Sequence, residues 1–167
     1  MTDDVSSRQL AALDRVHELF EREQLAYWLF GGWAVDFYVG SPTRPHDDID
    51  IAVWLNDLTR IAEVLEADGW RHAPSPDDDG GTGYERAGVR LELTYLVRDD
   101  DGAVYIPLRD GRATWSDGAV ANDVRDLKGV RARLIGLAAL SSGKSSPRDD
   151  PVDATKDRAD FQALSDL

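Results

Sequence analysis

A chain of 167 residues, 42% hydrophobic and 31% charged, can bury one real core but is short for two domains, so one unit spanning 1–167 is expected. Its 19 basic against 32 acidic residues leave a net charge of −13, a balance that disfavours DNA and RNA as partners and draws in cations. The absence of cysteine excludes disulfides and thiolate metal sites. No window approaches the roughly 18 apolar residues of a membrane span, and the opening MTDDVSSRQL is acidic and polar where a secretory leader is basic and then apolar, so a cytoplasmic location is expected.

In chain order, Leu10, Leu13, Val16, Leu19 and Phe20 fall on one stripe and predict an amphipathic helix over 7–23. The apolar run 25–30 predicts a buried strand ended by Gly31-Gly32, and 33–39 a short helix closed by Gly40. Prolines 42 and 45 make SPTRPH a loop. A strand follows at 48–55, marked by β-branched Ile49, Ile51 and Val53, then a helix at 57–68 stopped by Gly69. Residues 74–83 predict a turn-rich loop, and two strands are expected on either side of an Ala87-Gly88 turn. Short strands are expected at 104–108 and 130–134, and a small apolar helix at 135–140. A polar linker at 141–151 then introduces a last helix at 153–164. The class is α/β (α+β), a mixed sheet flanked by helices with a small helical C-terminal part from about 135 to 167.

The stretch HDDIDI carries the chemistry. On a strand, Asp48 and Asp50 project from one face while Ile49, Ile51 and Val53 point into the core. Two carboxylates side by side repel unless a cation joins them, and hard oxygen donors suit Mg²⁺; the competing reading is a solvated edge or an N-cap cluster. Asp47 faces the other way and is not counted. The runs 77–79 and 99–101 each end in glycine and read as turns.

In the strand 89–97, Val89, Leu91, Leu93 and Tyr95 form the apolar face and Arg90, Glu92 and Thr94 the other. If this strand neighbours the first, Glu92 completes a cluster of carboxylates; otherwise it is a solvent-facing position. Gly31-Gly32, after a strand and opening a helix, offers backbone N–H groups to a phosphate. Arg44 and His46 lie on the intervening loop within reach of the same phosphates, although a structural Arg44–Asp36 pair fits the pattern equally well. Strand, glycine turn, helix and DxD strand together suit a nucleoside triphosphate held with two Mg²⁺ ions. Trp33, Trp54, Tyr84, Tyr95 and Trp115 are better read as core aromatics than as the walls of an acceptor pocket.

The stretch GGWAVDFYVGSPTRPHDDIDIAV resembles the signature of small antibiotic nucleotidyltransferases of the polymerase-β-like superfamily, in particular the aminoglycoside 2''-nucleotidyltransferase and lincosamide nucleotidyltransferase group. The downstream LEL and the KDRADFQAL near the end extend a thinner resemblance over most of the chain. The resemblance implies a polymerase-β-like mixed sheet, with Asp48 and Asp50 as Mg²⁺ ligands and Gly31 and Gly32 as the nucleotide-phosphate turn. It makes Glu92 the third carboxylate, a metal ligand or the general base, where the family commonly has Asp. Lys156 matches the lysine of the family's last helix and is expected at the nucleotide. The implied reaction is attack by an acceptor hydroxyl on the α-phosphorus of ATP, releasing pyrophosphate. The acidic balance suits an aminoglycoside acceptor. A lincosamide, another hydroxylated acceptor, or nucleotide binding without turnover are the alternatives.

Overall fold

The computed structural model describes residues 2–116, 118–145 and 151–167. A long helix, α1 (Thr2–Arg22), leads into the short strand β1 (Trp28–Phe30), the helix α2 (Gly31–Val39) and β2 (Ile49–Trp54). A single 3-10 turn joins β2 to α3 (Leu58–Ala67), which precedes the two-residue strand β3 (Arg71–His72). Two hairpins follow, β4 (Gly81–Arg86) with β5 (Val89–Arg98) and β6 (Val104–Leu108) with β7 (Gly111–Trp115). A third, β8 (Asp123–Leu127) with β9 (Val130–Leu134), leads to α4 (Leu137–Ser145) and α5 (Pro151–Ser165). No helix among the described residues is long and apolar enough to cross a membrane.

The strands lie in the order β3-β4-β5-β2-β1-β9-β8, with the β6–β7 hairpin branching from β5. Pairings are antiparallel except β2 with β5 and β1 with β9, which are parallel, so the sheet is mixed as expected. On one face, Ile49, Ile51 and Val53 of β2 and Leu91 and Leu93 of β5 join Leu13, Val16 and Phe20 of α1 and Ile61 and Leu65 of α3 in one buried cluster. This is the alternation read from the sequence, and it follows from the two-residue period of the strand. The opposite face is apolar over only half its length. There Trp28, Ala52, Leu96 and Val104 make a small second core beneath the β6–β7 hairpin. Tyr95 is accordingly half-buried while its neighbour Leu96 is fully buried. The uncovered half of that face carries Asp50 and Glu92.

Several boundaries differ from expectation for local physical reasons. The strand expected at 25–30 shortens to β1, because Leu25 N–H turns back to the Phe20 carbonyl at 2.8 Å and closes the end of α1. Helix α2 begins at Gly31 rather than at 33, and β4 incorporates residues 81–83 of the expected loop through ladder partners Thr94, Leu93 and Glu92. Strands β7 and β8 are absent from the sequence reading. Both are largely exposed and rich in charged or small residues, so they lack the apolar alternation that announces a strand. The last helix starts two residues earlier, on Pro151, a residue suited to a first helical turn. Of the linker expected at 141–151, residues 146–150 lie outside the described residues.

The C-terminal helix is docked through charge. Arg44 grips Asp160 with two parallel bonds, Nε to Oδ1 and Nη2 to Oδ2, both 2.9 Å, and Asp160 is buried. Two stability changes should follow in urea titrations. Leu91→Ala, in the centre of the main core, should cost about 2–5 kcal/mol. Asp160→Ala, which strands the Arg44 guanidinium, should cost about 3 kcal/mol, whereas a cost below about 1 kcal/mol would mean that the bond does not hold α5 in place.

Candidate active site

Three neighbouring strands set the site. Phe30 at the end of β1 pairs with Asp50 of β2, and Asp50 pairs with Glu92 of β5. Glu92, Asp50 and the Phe30–Gly31 junction therefore follow one another across the sheet at the strand spacing of about 4.8 Å. Asp48, just before β2, lies within hydrogen-bonding reach of Asp50, and two carboxyls this close are eased by a shared proton or a bridging cation. Burial is the chief cause that pushes the Asp48 carboxyl above the usual carboxylate range. Asp47 adds to the rise, while Arg90, Lys156 and the bond to Asp50 oppose it.

Gly31 has φ +71°, and a Cβ there would lie 2.5 Å from the Asp50 carboxylate. Gly32 is closed in on its other side, where a Cβ would run into His46 Nδ1 and lie 2.8 Å from the Arg44 guanidinium. No other residue type fits the turn between the carboxylates and the basic groups. The residue before the helix, Phe30, is extended and gives no side-chain cap, so the first N–H groups of α2 are not capped from that position.

His46 is almost fully buried and donates Nε2–H to Asp36 at 2.7 Å. Asp36 is completely buried and also accepts the Thr43 N–H (3.1 Å) and hydroxyl (2.6 Å) on its other oxygen. This arrangement leaves His46 Nδ1 buried beside Gly32 without a hydrogen-bond partner among the described residues. The Arg44–Asp36 pair is not formed. Asp36 is taken by Thr43 and His46, both within ten residues of it, and Arg44 turns to Asp160, 116 positions away. Lys156 bonds Asp47 at 2.8 Å across the mouth of the site.

These groups surround a cavity of about 650 Å³. Gly31, Gly32, Arg44, His46, Asp47, Asp48, Asp50 and Lys156 line it, so the structure brings together every sequence-selected site residue but one. Glu92 sits one strand away and outside the lining. Burial is the first cause of its raised pKa, and Arg90, whose Nε lies 2.5 Å from its Oε1, acts against that rise. Among the described residues no three acidic or histidine side chains are gathered closely enough to hold a metal ion. Asp48 and Asp50 are together, and the third acid is turned to arginine. The donor set, hard carboxylate oxygens crowded in a half-buried site, nevertheless fits Mg²⁺.

The far wall was not legible in the sequence. Phe30, Trp115, Ile135, Ala139 and Leu140 make it apolar, with the Trp115 ring edge-to-face on Phe30 at 5.7 Å. Trp115 therefore belongs to the cavity, whereas Trp33 and Tyr84 are core residues as expected. Asp153 and Asp157 of α5 also line it. Their spacing of four puts them on one helical face, the one local signal that could have found them.

Residues 12–161 match the family model described as aminoglycoside-2''-adenylyltransferase. A lincosamide resistance protein of Staphylococcus haemolyticus is 39% identical over 54 residues, which cover 32% of this chain and 34% of that protein. The chain thus aligns with about a third of the length of that curated relative. Among solved structures, the lincosamide adenylyltransferase LnuA with lincomycin bound superposes with a TM-score of 0.67 at 22% identity, covering 89% of this chain and 90% of that one. ANT(2'')-Ia in complex with adenylyl-2''-tobramycin gives 0.66 at 18% identity, covering 99% and 89%. At these identities the superpositions establish the nucleotidyltransferase fold. With the family model spanning nearly the whole chain, over the same glycine turn and acidic strand that build the cavity, this protein belongs to the aminoglycoside-2''-adenylyltransferase family.

Proposed function

We propose that this protein transfers AMP from ATP to a hydroxyl of a small antibiotic, an aminoglycoside, in a Mg²⁺-dependent reaction. The observation that carries the reading is the Asp48–Asp50 pair set directly against the Gly31-Gly32 turn in one cavity. The turn and the first N–H groups of α2 receive the phosphates, flanked by Arg44, His46 and Lys156. Asp48 and Asp50, with Glu92, would hold Mg²⁺, which would supply charge neutralisation for the triphosphate and activation of the acceptor hydroxyl. Glu92, the ladder partner of Asp50, would ligate the metal or accept the hydroxyl proton once Arg90 releases it. The hydroxyl oxygen bonds to the α-phosphorus as pyrophosphate leaves. Positioning and charge neutralisation account for most of the rate.

Net charge −13 and the acidic side chains of Asp47, Asp153 and Asp157 around the cavity favour an acceptor bearing amines. The apolar wall formed by Phe30, Trp115, Ile135 and Leu140 supports a second reading, a less polar acceptor of the lincosamide kind.

Pyrophosphate release from ATP and Mg²⁺ should appear with one antibiotic class in a panel of aminoglycosides and lincosamides, and fall by at least about a hundredfold in Asp48→Ala and Asp50→Ala. Turnover that survives both substitutions would refute the assignment. In Gly32→Ala the new methyl meets buried His46 and the Arg44 that fastens α5, so the KM for ATP should rise and the unfolding midpoint should fall with it. A dependence on pH follows as well. Asp48 and Glu92, both pushed up chiefly by burial, favour the fold while protonated, and this contribution is lost as pH rises through their folded values. A divalent cation offsets the repulsion that then appears. MgCl₂ should therefore raise Tm more at about pH 7.5 than at about pH 4.5, and an equal shift at both would count against metal at these carboxylates.

A further inference from the structure

Arg90 belongs to no part of the site described above, yet its side chain holds the one expected metal ligand that is not gathered with the others. It lies two residues before Glu92 on β5, so both side chains leave the same face of the sheet. Its Nε donates to Glu92 Oε1 at 2.5 Å, and its Nη1 donates to Glu85 Oε1 at 3.2 Å. Glu85 is the ladder partner of Arg90 on β4, which puts the second carboxylate directly across the strand pair. The guanidinium is seated over Gly83, the ladder partner of Glu92, where any Cβ would collide with Arg90 Nη2. Arg90 is therefore held between two acids, one in line with the Asp48–Asp50 pair and one outside it, over a glycine whose missing side chain leaves room for the guanidinium.

We propose that Arg90 is a built-in counter-cation of the metal site, which competes with divalent metal for Glu92 and retreats to Glu85 when metal takes that carboxylate. The inference rests on the reading of Asp48, Asp50 and Glu92 as metal ligands. Its physical basis is charge. Three carboxylates on adjacent strand positions repel one another, and an arginine on the outermost one relieves that repulsion without closing the site. A guanidinium cannot lose its proton in a protein, so its release is a matter of competition between cations. Glu85, with its side chain 41% exposed, already meets Arg90 through Oε1 while Arg71 takes its Oε2, and so keeps Arg90 paired after it leaves Glu92. Arg90 thus acts through Glu92 as a positioning residue. It weakens metal binding by the free protein, so that full occupancy waits for the negative charge that a triphosphate brings.

The test is titration with Mn²⁺ alone, read from the EPR signal of the free ion, on the full chain. Arg90→Met should bind Mn²⁺ about fivefold more tightly than wild type, the upper end for a partly exposed ion pair, and Arg90→Gln should change in the same direction. In a Glu92→Gln background the gain should vanish. Unchanged or weaker binding in both Arg90 variants, each shown to be folded by its melting curve, would overturn the proposal. A gain that persists without Glu92 would do the same, since it would mark a general effect of net charge. Failure of wild type and of both Arg90 variants to bind Mn²⁺ would overturn the metal-site reading itself and this inference with it. Binding by wild type that is lost in Asp48→Ala but not tightened by Arg90→Met would overturn this inference alone.

Discussion

The register of three strands governs the site. Because Phe30 pairs with Asp50 and Asp50 with Glu92, a single row across the sheet carries the glycine turn, the paired aspartates and the outer acid. A slip of one residue in β2 would turn Asp50 into the core and bring Ile49 and Ile51 to the cavity. That slip is opposed by the burial of Ile49, Ile51 and Val53, all completely inaccessible to solvent, against α1 and α3. The apolar face thus holds the polar face in place. The cost of crowding carboxylates is met by the packing behind them.

The second face of the sheet divides its length between two tasks. Over one half, the β6–β7 hairpin covers Trp28, Ala52 and Leu96 with Val104. Over the other half no strand among the described residues covers Asp50, and the cavity is walled by the end of the hairpin, α4 and α5. Trp115 stands at the join, at the end of β7 and edge-on to Phe30. The cavity is therefore apolar on the side of β1 and β9 and charged on the side of β2, a division that follows from which part of the sheet the hairpin reaches.

Polar contacts hold the wall of the cavity formed by α5. Helix α5 packs on α2 and α4 and carries its acids inward, with Asp157 and Asp160 both buried. Arg44 answers Asp160, and Lys156 answers Asp47. Cations that the sequence offers to phosphate are thus also the fastenings of the helix that closes the site.

The chain by itself determined the local events: the apolar stripe of α1, the alternation of β2 and β5, the glycine turn, and the shared face of Asp48 and Asp50. Each depends on the period of a helix or strand, or on a conformation only glycine tolerates, and such features are written within a few residues. The family resemblance was legible for the same reason, since it rests on one continuous stretch. Tertiary structure alone decided the partners of the charged groups. Arg44 chose Asp160 over the nearer Asp36 because His46 and Thr43 already saturate that buried carboxylate. Glu92 met Arg90 instead of joining the aspartates because β4 places Glu85 and Gly83 around the guanidinium. Strands β7 and β8, exposed and polar, are strands only because neighbours supply their hydrogen bonds. Long-range pairings such as Arg44 with Asp160 depend on distances across the fold, and no local period encodes them.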